Sequence, residues 1–178
     1  GAEPVDLVTG RFRISMTDLA LPGRTPISIQ RSYVSGDPRA GLLGIGWNLA
    51  IYDRRLTTNG TGLRLILSDQ SSYLFAPVGA GQWRNTTDPR FQGALLTQLP
   101  GEFNFQLRFK DGVVERYDRI VGFGNAAGLA AITDRNGNTV TITRESPAPG
   151  VFGLITRVTE PAGRALTLVY DSLGQPGR

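Results

Sequence analysis

The last third of the chain carries a tandem repeat of strand and turn residues. Residues 132–142, ITDRNGNTVTI, align without gaps on residues 158–168, VTEPAGRALTL, and a Gly-Leu pair precedes each copy, at 128–129 and 153–154. Such units bury their apolar faces by stacking, and about three or more are usually needed for a stable array. The repeat therefore predicts stacked strand–turn–strand units, and two complete copies indicate a piece of a longer protein.

Strand patterns also fill the rest of the chain, whereas helix patterns are poor. Residues 11–16 and 26–33 alternate polar and apolar side chains, and residues 21–24 between them are typical of a turn. Asp111-Gly112 separates two further alternating runs and favours a type I′ hairpin turn. Residues 76–93 are rich in Gly, Pro, Asn and Thr and predict a long loop with at most one weak strand.

These patterns together predict an all-β fold of antiparallel hairpins stacked into an open, curved sheet. The composition agrees, because 23 Gly and 11 Pro in 178 residues supply the many tight turns that such a fold needs. Gly41, Gly44 and Gly46 allow a tight turn before Trp47. We expect the large ring of Trp47 to be buried beneath the sheet.

The residue inventory removes several classes of chemistry. The chain has no cysteine and no histidine, which excludes a thiol nucleophile, a disulfide, a histidine base, a His/Cys metal site and a Ser-His-Asp triad within it. A Ser–Lys hydrolase would need Lys110, which lies beside the predicted exposed turn and lacks the burial that activates such a base. We therefore predict no enzyme activity, no catalytic, cofactor-binding or metal-binding residue, and no cofactor.

Two short patterns imitate ligand sites. Residues 122–128, GFGNAAG, imitate a dinucleotide-binding glycine loop, but the strand of the repeat follows too soon to leave room for the helix that such a site requires. Asp134, Asn136 and Asn138 imitate a calcium loop, but Thr139 stands where the sharp turn needs glycine. A hairpin turn is favoured over calcium at this second pattern.

Positive charge is spread along the whole chain. The formal net charge is +4, and the arginines run from Arg11 to Arg178 with one adjacent pair, Arg54-Arg55. Because no basic block of five or more residues occurs, solvated or salt-bridged surface arginines are favoured over a nucleic-acid groove. No apolar run approaches the roughly 18 residues of a membrane helix, so we predict no membrane span.

Short motifs in a fixed order resemble those of Rhs/YD-repeat proteins. The motifs in the first third are like those of the domain that precedes the repeats in that family: PVDLVTG at 4–10, DLALPG at 18–23, RSY at 31–33 and GLLGIGWN at 41–48. Tyr170-Asp171 with Gly174 matches the family's Tyr-Asp-x-x-Gly core, and both repeats carry its acid-x-x-Gly turn. The first copy has Thr143-Arg144 where the Tyr-Asp pair would fall. The resemblance covers essentially the whole chain.

The resemblance implies a domain organisation and a role. Residues 1–125 would form an N-terminal Rhs-type β domain, and residues 126–178 would form two YD-like repeats that are cut short. That family builds a hollow β-shell around a C-terminal toxin, so the chain would be a non-catalytic structural segment of such a shell. The protein would be secreted or at the cell surface, exported by a route that is not visible in this segment.

The same resemblance implies partners. They would be the remainder of the chain's own shell, the enclosed C-terminal toxin, and a secretion-system spike or chaperone, with no nucleic acid. Exposed sheet edges also predict edge-to-edge self-association.

Two other functions stay open at this point. Six aromatic residues could form a stacking platform for a sugar or a base, which would make the chain a β-rich surface module that binds glycan or another cell-surface polymer. Their positions on alternating strands favour core and inter-sheet packing instead. A hydrolase is the weakest alternative, because the sequence offers no base for a nucleophile. The six aromatic residues are Tyr33, Trp47, Tyr52, Tyr73, Phe75 and Trp83.

Overall fold

Strands make up nearly all of the regular structure in the computed structural model, which describes residues 5, 10–36, 40–41, 43–69, 71–146 and 153–170. The motif residues at 4 and 6–9, with Leu42 and residues 171–174, lie outside the described residues. The helical structure within those ranges is one short 3₁₀ turn, Pro89–Phe91. The predicted all-β class is confirmed.

Within the described residues the chain forms sixteen strands, most of them joined by short turns. They are β1 Arg13–Leu21, β2 Ile27–Val34, β3 Ala40–Gly41, β4 Gly44–Ile45, β5 Trp47–Leu49, β6 Arg55–Asn59, β7 Gly62–Ile66, β8 Ser72–Gly79, β9 Gln82–Arg84, β10 Leu95–Leu99, β11 Asn104–Arg108, β12 Val114–Arg119, β13 Ala126–Thr133, β14 Thr139–Glu145, β15 Leu154–Thr159 and β16 Ala165–Thr167.

The eight consecutive strands β6 to β13 close into a barrel. Each pairs with the next in antiparallel fashion, and β13 completes the ring by pairing with β12 on one edge and with β6 on the other. The predicted open, curved sheet is therefore wrong for this part of the chain. Closure leaves no unpaired strand edge in the ring and lets inward side chains fill a single core.

The repeated segment forms an extension of the barrel wall, which we call the repeat arm and which consists of β14, β15 and β16. Residues 126–128 of β13 pair with β6, and residues 131–133 on the same edge pair with β14. β15 and β16 then continue the sheet outwards. β13 is thus shared between the barrel and the arm, while the division of the chain into two domains stays a prediction.

A separate three-stranded sheet, with the order β1-β2-β5, precedes the barrel, and we call it the N-terminal sheet. β1 and β2 pair antiparallel around the predicted turn at residues 21–24, with a bulge between Thr17 and Leu19. Ile27 and Leu49 from this sheet are buried in the same core as the barrel residues. The N-terminal sheet is therefore packed on the barrel through apolar side chains.

Alternating inward side chains fill the barrel. In β11, Phe105 and Leu107 are buried, while Arg108 beside them faces solvent. Full burial of one such leucine or phenylalanine contributes about 1.5–3 kcal/mol relative to leaving it exposed. The other large barrel side chains that lose essentially all their exposure are those of Leu56, Leu65, Phe75, Leu96, Tyr117 and Leu129.

Trp47 departs from the sequence-based expectation, because it is half-buried rather than buried. It lies on β5 opposite Tyr33, with ring centroids 5.2 Å apart, and the Arg31 guanidinium stands 5.2 Å from the indole centroid. The tight turn itself is present, since Gly44 and Gly46 have φ values of 109° and 75°. The turn leads into β5, the edge strand of the N-terminal sheet, where neighbouring side chains cover only part of the Trp47 ring.

Candidate functional site

The two repeats share one turn geometry, which confirms the repeat that the sequence predicts. In the first copy the backbone N–H of Asp134 donates to the carbonyl of Asn138 (2.9 Å), and the N–H of Gly137 donates to the carbonyl of Asp134 (3.0 Å). In the second copy Glu160 and Gly163 make the same two bonds, each 2.9 Å long. The two glycines have φ values of 85° and 89°, which explains why glycine occupies this position.

The acid that begins each turn accepts hydrogen bonds from inside the turn. The Asp134 carboxylate accepts the backbone N–H groups of Asn136 and Asn138 at 2.8 and 2.9 Å, and the Asn138 side-chain amide at 2.8 Å. Donors therefore surround the oxygen atoms that a calcium site would need. This geometry supports the hairpin-turn interpretation, and within the described residues no group of three acidic side chains is placed to hold a metal ion.

An earlier hairpin uses the same two backbone bonds without the leading acid. Phe109 donates to the Val113 carbonyl (2.8 Å) and Gly112 donates to the Phe109 carbonyl (3.2 Å). Gly112 has a φ of 91°, but Asp111 does not have a positive φ, so the predicted type I′ turn is wrong. The turn is instead of the type I plus glycine-bulge kind, and Leu67 makes the equivalent bond to Ser71 (2.9 Å).

We expect the turn acids to make stability depend on pH at the acidic end. The N–H of Ala162, and then the Arg164 side chain, hold the pKa of Glu160 below its ordinary value. A lowered carboxyl pKa gives stability that is complete above the unfolded-state pKa and is lost as pH falls through the folded-state pKa. E160Q should therefore unfold more easily than the parent protein at pH 7, and the difference should shrink below about pH 4. Urea unfolding at several pH values measures it, and a pH-independent difference would contradict it.

Arg144 of β14 ties the repeat arm to the barrel. Its Nε donates to the carbonyl of Leu129 (3.1 Å), and its two Nη atoms donate to the carbonyls of Gly153 and Tyr52 (2.8 Å each). Only 12 % of its side-chain surface is exposed, and burial lowers its pKa. A Cβ on Gly128 would lie 2.6 Å from the Arg144 Nε, so that glycine provides the space for the guanidinium. One side chain thus links β13, the residue that precedes β15 and the segment before β6.

The tyrosine of the Tyr-Asp motif packs back on the same junction. The Tyr170 hydroxyl donates to the Ile155 carbonyl at 2.8 Å. Burial, and then the Asp53 carboxylate, raise the pKa of Tyr170 to about 12. The hydroxyl therefore stays protonated at neutral pH and serves as a hydrogen-bond donor that fixes the end of the arm.

The second repeat also contacts the N-terminal sheet. An Nη atom of Arg164 donates to the Pro22 carbonyl at 2.6 Å, while its Nε donates to Glu160 at 3.0 Å. Gly23 leaves the room for this contact, because a Cβ there would lie 2.5 Å from the guanidinium. The turn of the second repeat and the turn between β1 and β2 are thus joined across a sequence separation of 142 residues.

A buried polar network lies inside the barrel wall. Glu115 of β12 is 3 % exposed, accepts the Tyr117 hydroxyl at 2.5 Å, and forms an ion pair with Arg54. Burial, and then the charge of Glu115, raise the pKa of Tyr117 well above its ordinary value. The tyrosine is therefore a donor at every physiological pH. The sequence pattern gives no sign of this network, because Arg54 and Glu115 are 61 residues apart in the chain.

The aromatic residues considered as a stacking platform do not share one surface. Tyr52 and Phe75 are buried in the core. Tyr73 packs against Phe91 with centroids 5.0 Å apart, and Trp83 packs edge-on against another barrel ring. The remaining two lie on the N-terminal sheet. A platform made of all six is therefore excluded by their positions.

The other sequence patterns occupy loops and turns. Gly122 and Gly124 lie in the loop between β12 and β13 with φ values of 83° and 54°, and β13 begins at Ala126. The chain therefore enters a strand at the point where a dinucleotide site would have a helix. Lys110 is exposed in the turn between β11 and β12. No helix in the described ranges is long and apolar enough to cross a membrane.

Comparison with known proteins supports the fold. Residues 2–75 match the model of a family described as a domain of unknown function, DUF6531, which is less than half of the chain. No curated protein matches the chain. A solved structure, "Crystal Structure of TcdB2-TccC3 without hypervariable C-terminal region", matches 82 % of this chain at 11 % identity with a TM-score of 0.54. The chain spans 10 % of that much longer one. At this identity the likeness shows a shared β architecture.

Proposed function

We propose that this chain is a non-catalytic structural segment of a β-shell of the Rhs/YD-repeat kind, which encloses and helps to deliver a C-terminal toxin. The observation that carries the proposal is the continuity of the wall: the repeated acid-x-x-Gly hairpins extend directly from strand β13 of the barrel. Repeats of this kind gain stability from their neighbours, so a wall can grow by adding further units. The likeness to the TcdB2-TccC3 structure supports the same architecture.

The free edge of the repeat arm supports the proposed partners. Within the described residues, β16 pairs with β15 on one side only. A strand edge that is unpaired in this way accepts another strand, which would come from the next repeat of a longer chain or from a second copy. On this proposal the segment is exported, and its partners are the remaining shell, the enclosed toxin, and a spike or chaperone that loads it.

Protection of the enclosed domain tests the proposal. The protein encoded by the whole gene, expressed with this segment, should protect its C-terminal domain from a broad-specificity protease, because a closed wall excludes the protease. A matched protein that lacks residues 1–178 should lose that protection. The measurement is the survival of the C-terminal domain over time, with a detached copy of that domain as the unprotected control. Equal rates of digestion with and without the segment would contradict the proposal.

The alternative of a glycan-binding surface module retains one supporting observation. Tyr33 and Trp47 lie together on the N-terminal sheet, Phe12 stands 6.3 Å from Tyr33, and all three rings are partly exposed. However, Arg31 lies over the Trp47 ring and is held by Asp18 through two hydrogen bonds of 2.5 and 2.7 Å. Because this guanidinium covers the ring that would stack on a sugar, we favour the structural role.

A further inference from the structure

A cleft of about 420 Å³ lies between the N-terminal sheet and the barrel. Residues of β1 and β2 form one wall, and residues 50–54 with the turn after β7 form the others. Its lining combines apolar side chains, including Ile14, Val34 and Leu67, with six arginine, serine and aspartate residues. Clefts of this size with mostly apolar walls and a few fixed polar groups are typical of small-molecule sites. The proposed shell role makes no use of this cleft.

Arg54 places a guanidinium group in the cleft, and an ion pair with Glu115 restrains that group. One Nη atom bonds the Glu115 carboxylate, which is buried and is also held by the Tyr117 hydroxyl. The Arg54 side chain is 25 % exposed and lines the cleft, and its guanidinium also interacts with the Tyr117 hydroxyl. The remaining N–H groups of a guanidinium form a planar fork that matches a carboxylate. The ion pair with Glu115 already limits the rotamers of the Arg54 side chain, so a ligand loses less free energy to ordering that side chain when it binds.

Two further observations concern residues that line the same cleft. The Ser32 hydroxyl, which lines it, is buried without a hydrogen-bond partner in the described part of the chain. A buried polar group without a partner is costly, so a change of the Ser32 rotamer that brought its hydroxyl to a polar ligand atom would remove an existing penalty. Ile51 also lines the cleft and has a φ of 77°, a strained conformation for a β-branched residue of the kind that clusters at functional sites.

We propose that this cleft binds a small carboxylate with an apolar body, with the carboxylate on Arg54, a polar atom near Ser32 and the apolar part against Ile14, Val34 and Leu67. Asp69, an acidic residue of the lining, lies 3.7 Å from Arg13 and is matched by that cation. The ligand could be a free acid or the terminal carboxylate of a peptide, since both present the same group. The proposal stands independently of the shell role.

Titration of the full chain followed by NMR tests the proposal. Benzoate represents a free acid and N-acetylphenylalanine a peptide terminus, and benzamide and N-acetylphenylalanine amide are their neutral controls. We expect saturable shifts at cleft residues with dissociation constants on the order of 1 mM for at least one acid, and about tenfold weaker binding of its amide. The tighter of the two acids identifies the source of the carboxylate.

Two variants separate the parts of the site. S32L should fill the cleft without touching the Arg54–Glu115 pair, and R54K should keep the charge while removing the planar fork. Each should weaken binding of the acid by about tenfold or more, while R116K, on the exposed face of β12, should leave it unchanged. Binding of the amide as tight as that of the acid, unchanged affinity in R54K, or no cleft shifts with either acid up to about 20 mM would overturn the proposal.

Discussion

Replacing Arg144 with alanine is expected to lower the free energy of unfolding by about 3–5 kcal/mol. The substitution leaves the carbonyls of Leu129, Gly153 and Tyr52 without their donor in a largely buried place. Each buried group that loses its partner costs about 1–3 kcal/mol, and relaxation around the smaller side chain recovers part of the sum. Urea unfolding, followed by tryptophan fluorescence and circular dichroism, measures the loss.

A matched control and a coupled variant make the Arg144 prediction specific. R116A removes an arginine whose side chain is 52 % exposed and which pairs with Asp118, so it should change stability by less than about 0.5 kcal/mol. G128A should destabilise the parent protein, because its new Cβ would meet the Arg144 guanidinium. In the R144A background that clash is gone, so G128A should cost much less there. Additive effects of the two substitutions would contradict the direct contact.

Arg144 also shows what a repeat in the sequence can and cannot reveal. The sequence places Thr143-Arg144 where the Tyr-Asp pair of a regular repeat would fall, and there the residue reads only as a departure from the pattern. In the structure the Gly-Leu pairs that precede the two copies both lie beside the guanidinium, Gly128 through the space it leaves and Gly153 through its carbonyl. The repeated Gly-Leu pair therefore marks the junction between the barrel and the repeat arm. The sequence alone does not show this, because the role of both glycines is their contact with the Arg144 guanidinium.

The acid-x-x-Gly turns could be predicted because the information is local. An acid that accepts N–H groups two and four residues later, with a glycine at the positive-φ position, fixes the turn within five residues. The turn at 109–113 has the same two backbone bonds, but Phe109 stands in place of the acid, so the residue pattern gives no sign of the relation. The two backbone hydrogen bonds of the turn are kept when the acid is replaced, but the residue pattern is lost.

Barrel closure could not be predicted because it depends on a non-local pairing. Hairpin patterns specify neighbours such as β11 and β12, whereas the ring closes through β13 and β6, with Ala127 opposite Leu56. The composition of residues 76–93 predicts a long loop or a loop with one weak strand, whereas in the structure β8 continues to Gly79 and the short strand β9 pairs with it. Pro77 is tolerated in β8 because the pairing is irregular between Pro77 and Gly79. Composition alone therefore underestimated the strand content there.

The E115Q substitution is expected to lower the free energy of unfolding by about 3 kcal/mol. Glutamine keeps the shape of the side chain but removes the charge that matches Arg54, while the Glu115 position is 3 % exposed and offers water little access. An unpaired cation beside the barrel core is costly because the Arg54 side chain, at 25 % exposure, is only partly solvated. Urea unfolding at pH 7 measures the change, and R116A again serves as the surface control.

Removing the whole network should cost far less than removing one member. In the triple variant R54M/E115L/Y117F no charge or hydroxyl of the network remains, and apolar residues of similar volume replace a buried ion pair with nearly neutral effect in many proteins. We expect its stability to lie within about 2 kcal/mol of the parent protein. A triple variant less stable than E115Q would show that the network itself holds the barrel together. The triple variant also lacks the Arg54 guanidinium. If it folds as expected, the barrel should stay stable while carboxylate binding in the adjoining cleft is lost, so the two properties can be measured separately.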